Sequence, residues 1–395
     1  MPHNTRPLGG PILTDSFRIV LFLSLTAFAI VLWRLIAGLG PTTALSDGYP
    51  WGIWIAFDVV TGTALACGGY AVAIMCYVLN KGQYHPLVRP AILTSALGYT
   101  IAGVSVVIDV GRYWLLYGVF MPWRWNMNSV LLEVALCITA YIFVLWIEFS
   151  PVFLHRLAAS GTGRLADAAR KISRFLDRGL VFILALGLLL PTMHQSSLGS
   201  LMLVAGNKLH GFWHTPWLPL LFLSSCMAMG YAIVAFESLL GSISFRRPAE
   251  TKMLRSLAKV TIGLQLSFLA LRFLDLGFSG KLSGFTFDKY GILLIIETLL
   301  FLAPIFILIR GRQPAGNARL FLAAVFLLFA GGLYRFDTYL IAFNPGSEWS
   351  YFPSISETLV TLGFVATEVA IYVALVKRFP VLTGPEANEP ALSGA

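Results

Sequence analysis

What most constrains this chain is a series of ten apolar stretches separated by short polar connections. They fall at about 17–38, 51–78, 91–113, 129–150, 178–192, 216–240, 258–279, 290–310, 319–342 and 354–377. A bilayer offers no water to the backbone, so segments of this kind must bond internally as helices. The sequence therefore predicts an all-α polytopic membrane protein. Only 12% of residues are charged, against about 25% in a soluble domain. The start, MPHNTRPLGGPILTDSFR, is polar, and the apolar run after it is long enough to remain as a helix rather than a cleaved leader.

A formal charge of +9 would point to nucleic acid in a soluble protein, but in a membrane protein basic residues first report topology. An even number of spans puts both termini on one side. Twenty of the 28 Lys and Arg fall on that side, five on the other, and Arg34, Arg272 and Arg335 lie inside spans. Both termini are accordingly expected in the cytoplasm of a multi-pass inner-membrane protein, with no nucleic-acid partner. The basic stretch LHRLAASGTGRLADAARKISRFLDR is the longest polar connection, and its expected role is topogenic or lipid contact. No soluble catalytic head is present, so bulky chemistry must come from another chain. The Trp-, Tyr- and Asn-rich loops 112–128 and 193–215 offer a docking surface for one.

Ionisable groups in spans cost about 2.5–3.5 kcal/mol each on insertion scales, so each requires a partner or a task. Asp58, Asp109, Glu133, Glu148, Glu237, Arg272, Asp275, Glu297, Arg335, Asp337 and Glu368 all lie within or at the ends of spans. Arg272 and Asp275, three apart on one helix, read as a neutralising pair. Glu133, in NMNSVLLEVALC, has only apolar neighbours in sequence, a setting that suits proton exchange. Glu148 and Glu237 come at cytoplasmic span ends, where a snorkelling charge and a proton entry point are both open readings.

The four cysteines sit in spans without metal-ligand spacing, which leaves no ligand set for an iron–sulfur cluster, nickel or another metal. The six histidines all fall outside the expected spans: His3, His85 and His155 on the cytoplasmic side, His194, His210 and His214 in one periplasmic connection. A haem held by paired membrane histidines is not expected from that placement. The stretch PTMHQSSLGS, read as a periplasmic helix end, gathers Thr192, His194, Gln195, Ser196 and Ser197. Such donors and acceptors suit the head of a quinone, with its apolar tail between helices. The same residues could equally satisfy the unpaired carbonyls of a helix end. Trp54 and Asp58, in PWGIWIAFD, are expected near the same depth.

The strings PWGIWIAFD, KGQYHPLVRPA, DVGRYW, NMNSVLLE, LLPTMHQSS and AFNPG resemble the polysulfide reductase membrane-subunit (NrfD-like) family. RPLGG and YHPLVRPA resemble its hydrogenase branch. The resemblance implies one membrane domain over 1–395, with two four-helix bundles at about 51–192 and 216–342 and flanking helices at 17–38 and 354–377. It further implies a haem-free subunit reactive with menaquinone or ubiquinone, its quinone end toward the periplasm. Electrons would come from a periplasmic ferredoxin-like iron–sulfur subunit fed by the large and small subunits of a nickel–iron hydrogenase. By motif, Tyr99, Glu133 and Glu237 look like a proton route, and His194 and Asp58 like part of the quinone site. Competing readings are the membrane subunit of another iron–sulfur or molybdopterin oxidoreductase, and a proton transporter without redox chemistry. No pair of interrupted spans, the usual mark of a transporter, stands out in the sequence.

Overall fold

The computed structural model describes residues 7–159, 163–310 and 314–382. His3, Arg6 and Arg312, which entered the histidine and charge counts, lie outside the described residues. Ten helices are long and apolar enough to cross a membrane. They are α1 (Asp15–Ala37), α2 (Trp54–Val78), α3 (Gly82–Asp109), α4 (Val130–Ala159) and α5 (Arg164–Val204), then α6 (Leu218–Ser244), α7 (Thr251–Phe278), α8 (Lys289–Ile309), α9 (Asn317–Ile341) and α10 (Ile355–Arg378). Among the described residues the extended pairing is confined to one isolated bridge, Leu209 with Phe343.

Neighbouring helices in sequence pack together through α2–α5 and again through α6–α9, and α2, α5 and α9 all meet α6 or each other at the centre. The core there is built on Tyr49, Phe222, Phe268, Tyr334 and Tyr339. Helix α1 lies on α10, and α10 on α3 and α2. Only 11% of the most apolar window of α1 is buried. Phe22, Leu25 and Phe28 point outward, as befits a helix facing lipid tails.

Polar side chains close the helix ends. Arg34 on α1 donates to the carbonyls of Ile108 and Val110 at 2.5 and 2.7 Å, covering acceptors that the end of α3 would otherwise leave open. Ser354 and Glu357 form a capping box at α10, and Glu357 also accepts from the Ala44 amide at 2.9 Å and the Tyr351 hydroxyl at 2.9 Å. Asp288 caps α8 by accepting from Tyr290 and Gly291 amides. Those amides, Gly291 first, hold its carboxyl below the usual range.

Candidate functional site

Helix α5 corrects the reading of PTMHQSSLGS. It does not end at residue 192 but continues to Val204, with Pro191 inside it. His194 is thus part of a membrane-length helix and not of a periplasmic loop. Thr192, Ser196 and Ser197 return their hydroxyls to carbonyls three or four residues back, so they bond within the helix and do not need to line a site. Pro191, His194, Gln195, Leu198 and Met202 recur at helical spacing and form the buried face.

Gln195 joins the two halves of the chain. Its amide donates to Thr63 Oγ1 on α2 at 3.0 Å, and its carbonyl oxygen accepts from Arg335 Nη2 on α9 at 3.2 Å. Arg335 is fully buried. It also donates to the Ser225 hydroxyl at 3.1 Å and the Phe222 carbonyl at 3.0 Å, and its guanidinium lies 5.1 Å from the Phe222 ring centre. Among the described residues no carboxylate pairs with it. A buried positive charge met only by neutral groups is expensive as structure, and it is well placed to stabilise negative charge arising on a nearby electron acceptor.

His194, the residue before Gln195 on α5, is fully buried, and neither ring nitrogen has a hydrogen-bond partner. Its ring meets Tyr99 edge-on at 5.6 Å, and Tyr99 in turn packs on Tyr141 at 4.5 Å and lies 3.6 Å from Cys67 Sγ. Leaving a buried polar group unsatisfied costs about 1–3 kcal/mol, so the imidazole calls for a hydrogen-bonding group from outside the chain. A ring carbonyl such as a quinone carries fits that requirement.

Two helices widen beside this crossing. Residues Trp54–Thr61 of α2 and Asp337–Ile341 of α9 are π-helical, and the Thr61 hydroxyl bonds five residues back to the Ala56 carbonyl at 2.9 Å. The sequence shows no matched interruptions, because a widened turn keeps the apolar composition of a regular helix. Such turns commonly mark functional positions. The α9 turn begins two residues after Arg335, and Trp51 donates to its Tyr339 carbonyl at 3.0 Å.

The other expected members separate. Asp58 accepts from Thr361 at 3.0 Å and Trp54 donates to the Glu357 carbonyl at 3.2 Å, so both face α10 and not His194. Glu133 is exposed in the first turn of α4, beside the exposed Leu131, while Val134 turns into the core, so its apolar sequence neighbours do not enclose it. Glu148 abuts Gly187 of α5, where an added Cβ would come within 2.6 Å of its carboxyl. Glu237 accepts from Thr94 at 3.0 Å. Arg272 does not pair with Asp275: buried at the core, it forms an ion pair with Glu297 on α8, and Trp213 donates to that carboxyl at 3.1 Å. Asp275, nearer the helix end, takes Lys281 at 3.6 Å. Sequence reasoning named Arg335 and Glu297 as buried charges but gave them no partners, since depth in the membrane does not say which helices touch.

The four cysteines are buried and free, and among the described residues no three His, Cys, Asp or Glu side chains gather as metal ligands. The pattern of the family described as Polysulphide reductase, NrfD matches residues 42–342. The chain belongs to this family. Similar NrfD-like proteins include one from Escherichia coli K12 named "Probable Ni/Fe-hydrogenase 2 b-type cytochrome subunit", 42% identical over 98% of each chain. The integral membrane subunit of a menaquinone reductase from Nitratidesulfovibrio vulgaris Hildenborough is 28% identical over 62% of this chain and 58% of its own. One of the subunits of a selenate reductase from Mesobacillus selenatarsenatis is 23% identical over 65% of this chain and 64% of its own. This NrfD-family protein is a multi-pass membrane protein, and His194, Gln195, Thr63, Ser225 and Arg335 all lie within the matched residues.

Proposed function

We propose that this chain is the haem-free quinone-reactive subunit of a periplasmic nickel–iron hydrogenase complex. In this reading it takes electrons from a ferredoxin-like iron–sulfur subunit, itself fed by the hydrogenase large and small subunits, and delivers them to menaquinone or ubiquinone. The observation that carries the reading is the fully buried His194 with both nitrogens unpartnered, one residue from the Gln195 that holds Arg335. A quinone bound there would accept two electrons and two protons. His194 would meet a ring carbonyl, and the buried Arg335 would stabilise charge developing on it. Tyr99 would hold the imidazole edge.

The near full-length likeness to the hydrogenase-2 relative supports this branch over the selenate and menaquinone reductase branches. We take α2–α5 and α6–α9 as the two bundles, the termini as cytoplasmic, and the crossing as periplasm-directed. The relative's name speaks of a b-type cytochrome, yet of the described histidines only His194 lies in a membrane-length helix away from its ends. A bis-histidine haem needs a second ligand facing it. The test is to purify the chain with its associated subunits from membranes. Co-purification of nickel and iron, hydrogen-dependent quinol formation, and no haem band in a reduced-minus-oxidised spectrum are expected. A stoichiometric haem band, or a molybdopterin partner in place of nickel, would overturn the reading.

A further inference from the structure

Two of the four buried cysteines meet, and they do so beside the candidate site. Cys67 on α2 and Cys226 on α6 are both fully buried, and their side chains are in hydrogen-bonding contact. The Cys67 thiol also donates to the Thr63 carbonyl at 3.1 Å and lies 3.6 Å from the Tyr99 hydroxyl. Thr63, one turn before Cys67, is the residue that accepts from Gln195, and Ser225, next to Cys226, accepts from Arg335. The pair is therefore tied to His194 through Tyr99 and to Arg335 through Ser225, and the Arg335 charge acts on both sulfurs.

A disulfide needs α-carbons within about 7 Å, which cysteines on two helices reach only where the helices touch. Helices α2 and α6 touch here. A Cβ added at Gly230, one turn after Cys226, would come within 2.7 Å of the Cys67 carbonyl oxygen. The α2 backbone is also interrupted at this level: its regular bonding stops at Leu65 and resumes at Gly68, and the Cys67 amide bonds three residues back to Ala64 at 3.2 Å. Cys67 thus sits on a turn between two helical segments, where its side chain can be redirected more cheaply than from inside a regular helix. The other two cysteines are placed differently. Cys76 packs in a separate apolar cluster with Met75 and Tyr84, and Cys137 lies on α4.

We propose that Cys67 and Cys226 are a redox-active dithiol that exchanges an electron pair with the quinone at His194, closing to a disulfide between α2 and α6. The proposal rests on the function proposed above, which supplies the quinone, a chemical class that oxidises protein dithiols in the bacterial periplasm. In the closing direction two S–H bonds break and one S–S bond forms. The thiols are oxidised by two electrons, and both electrons and both protons end on the two quinone oxygens, which become hydroxyls. In the opening direction quinol returns the electron pair and the two protons, the S–S bond breaks, and both thiols are restored. The thiolate is the attacking form in such exchange, and the Arg335 charge is placed to meet it. With quinone in excess and no hydrogen the pair closes; with hydrogen supplied, quinol reopens it.

The test treats the complete complex, kept free of oxygen, with a short-chain quinone in the absence of hydrogen. The sample is quenched in acid and denatured, and the free thiols of this chain are located by maleimide labelling and mass spectrometry. All four cysteines should label before treatment. After quinone only Cys76 and Cys137 should label, and reducing the denatured chain, or supplying hydrogen before the quench, should restore the other two. In Cys67→Ser or Cys226→Ser the remaining member of the pair should keep its label under quinone. Diamide, a small thiol oxidant that needs no quinone site, is the second probe and should close the same pair. Absence of hydrogen-dependent quinone reduction in the same preparation would count against the function itself, and diamide would then decide whether the two sulfurs can join. Four labelled cysteines after quinone in a preparation that reduces quinone, four after diamide, or a lost label that reduction does not restore would overturn the dithiol alone.

Discussion

Buried charge in this chain is handled differently at neighbouring residues. Arg272 has a carboxylate partner in Glu297, whereas Arg335 makes do with Ser225, Gln195, a carbonyl and a ring face. Breaking a buried pair from one side leaves an uncompensated charge and typically costs about 3–5 kcal/mol, while replacing both partners with apolar groups is close to neutral. Glu297→Leu or Arg272→Met alone should therefore lower the thermal midpoint of the detergent-solubilised complex markedly, and the double variant should recover most of the loss. A double variant as unstable as the sum of the two singles would mean the pair is not coupled. The sequence showed that these charges were buried but not how they were paired. Arg272 and Asp275 share a face at helical spacing, yet the deeper group chose a partner on another helix because its guanidinium lies in the packed core and Asp275 does not.

At the scale of elements, the ten helices were legible from apolar runs and from the balance of basic residues, because the bilayer forces both. The end of α5 was not, since the polar string after residue 192 looks like a loop while its hydroxyls bond back to the helix itself. The widened turns at Trp54–Thr61 and Asp337–Ile341 leave no compositional trace either. Helix ends do leave one, and the cap at α8 can be tested by pH. The carboxyl of Asp288 is held below its usual range by the amides it accepts from. Its stabilising contribution is thus complete above the unfolded value, about 3.9, and fades as pH falls through the lower folded value. Asn caps a helix as well as Asp but carries no charge. In Asp288→Asn the thermal midpoint should depend less steeply on pH below about 4 than in the wild type; parallel acid limbs would contradict this.

Across the whole molecule, α2 meets α5 through Thr63 and Gln195 and meets α10 through Asp58 and Thr361, on different sides of the same helix. The expected quinone group joins Asp58 and Trp54 to His194 by depth and, for Asp58, by family motif, whereas the fold turns both toward α10. The central claim is that His194 meets a quinone, and the most direct measurement compares two activities of the same purified complex. His194→Phe keeps a planar ring against Tyr99 but has no nitrogen to offer. Hydrogen oxidation with an artificial dye should stay at the wild-type rate, because the dye draws electrons upstream, while hydrogen-dependent quinone reduction should fall by about two orders of magnitude. Quinone reduction at the wild-type rate in His194→Phe would contradict the account.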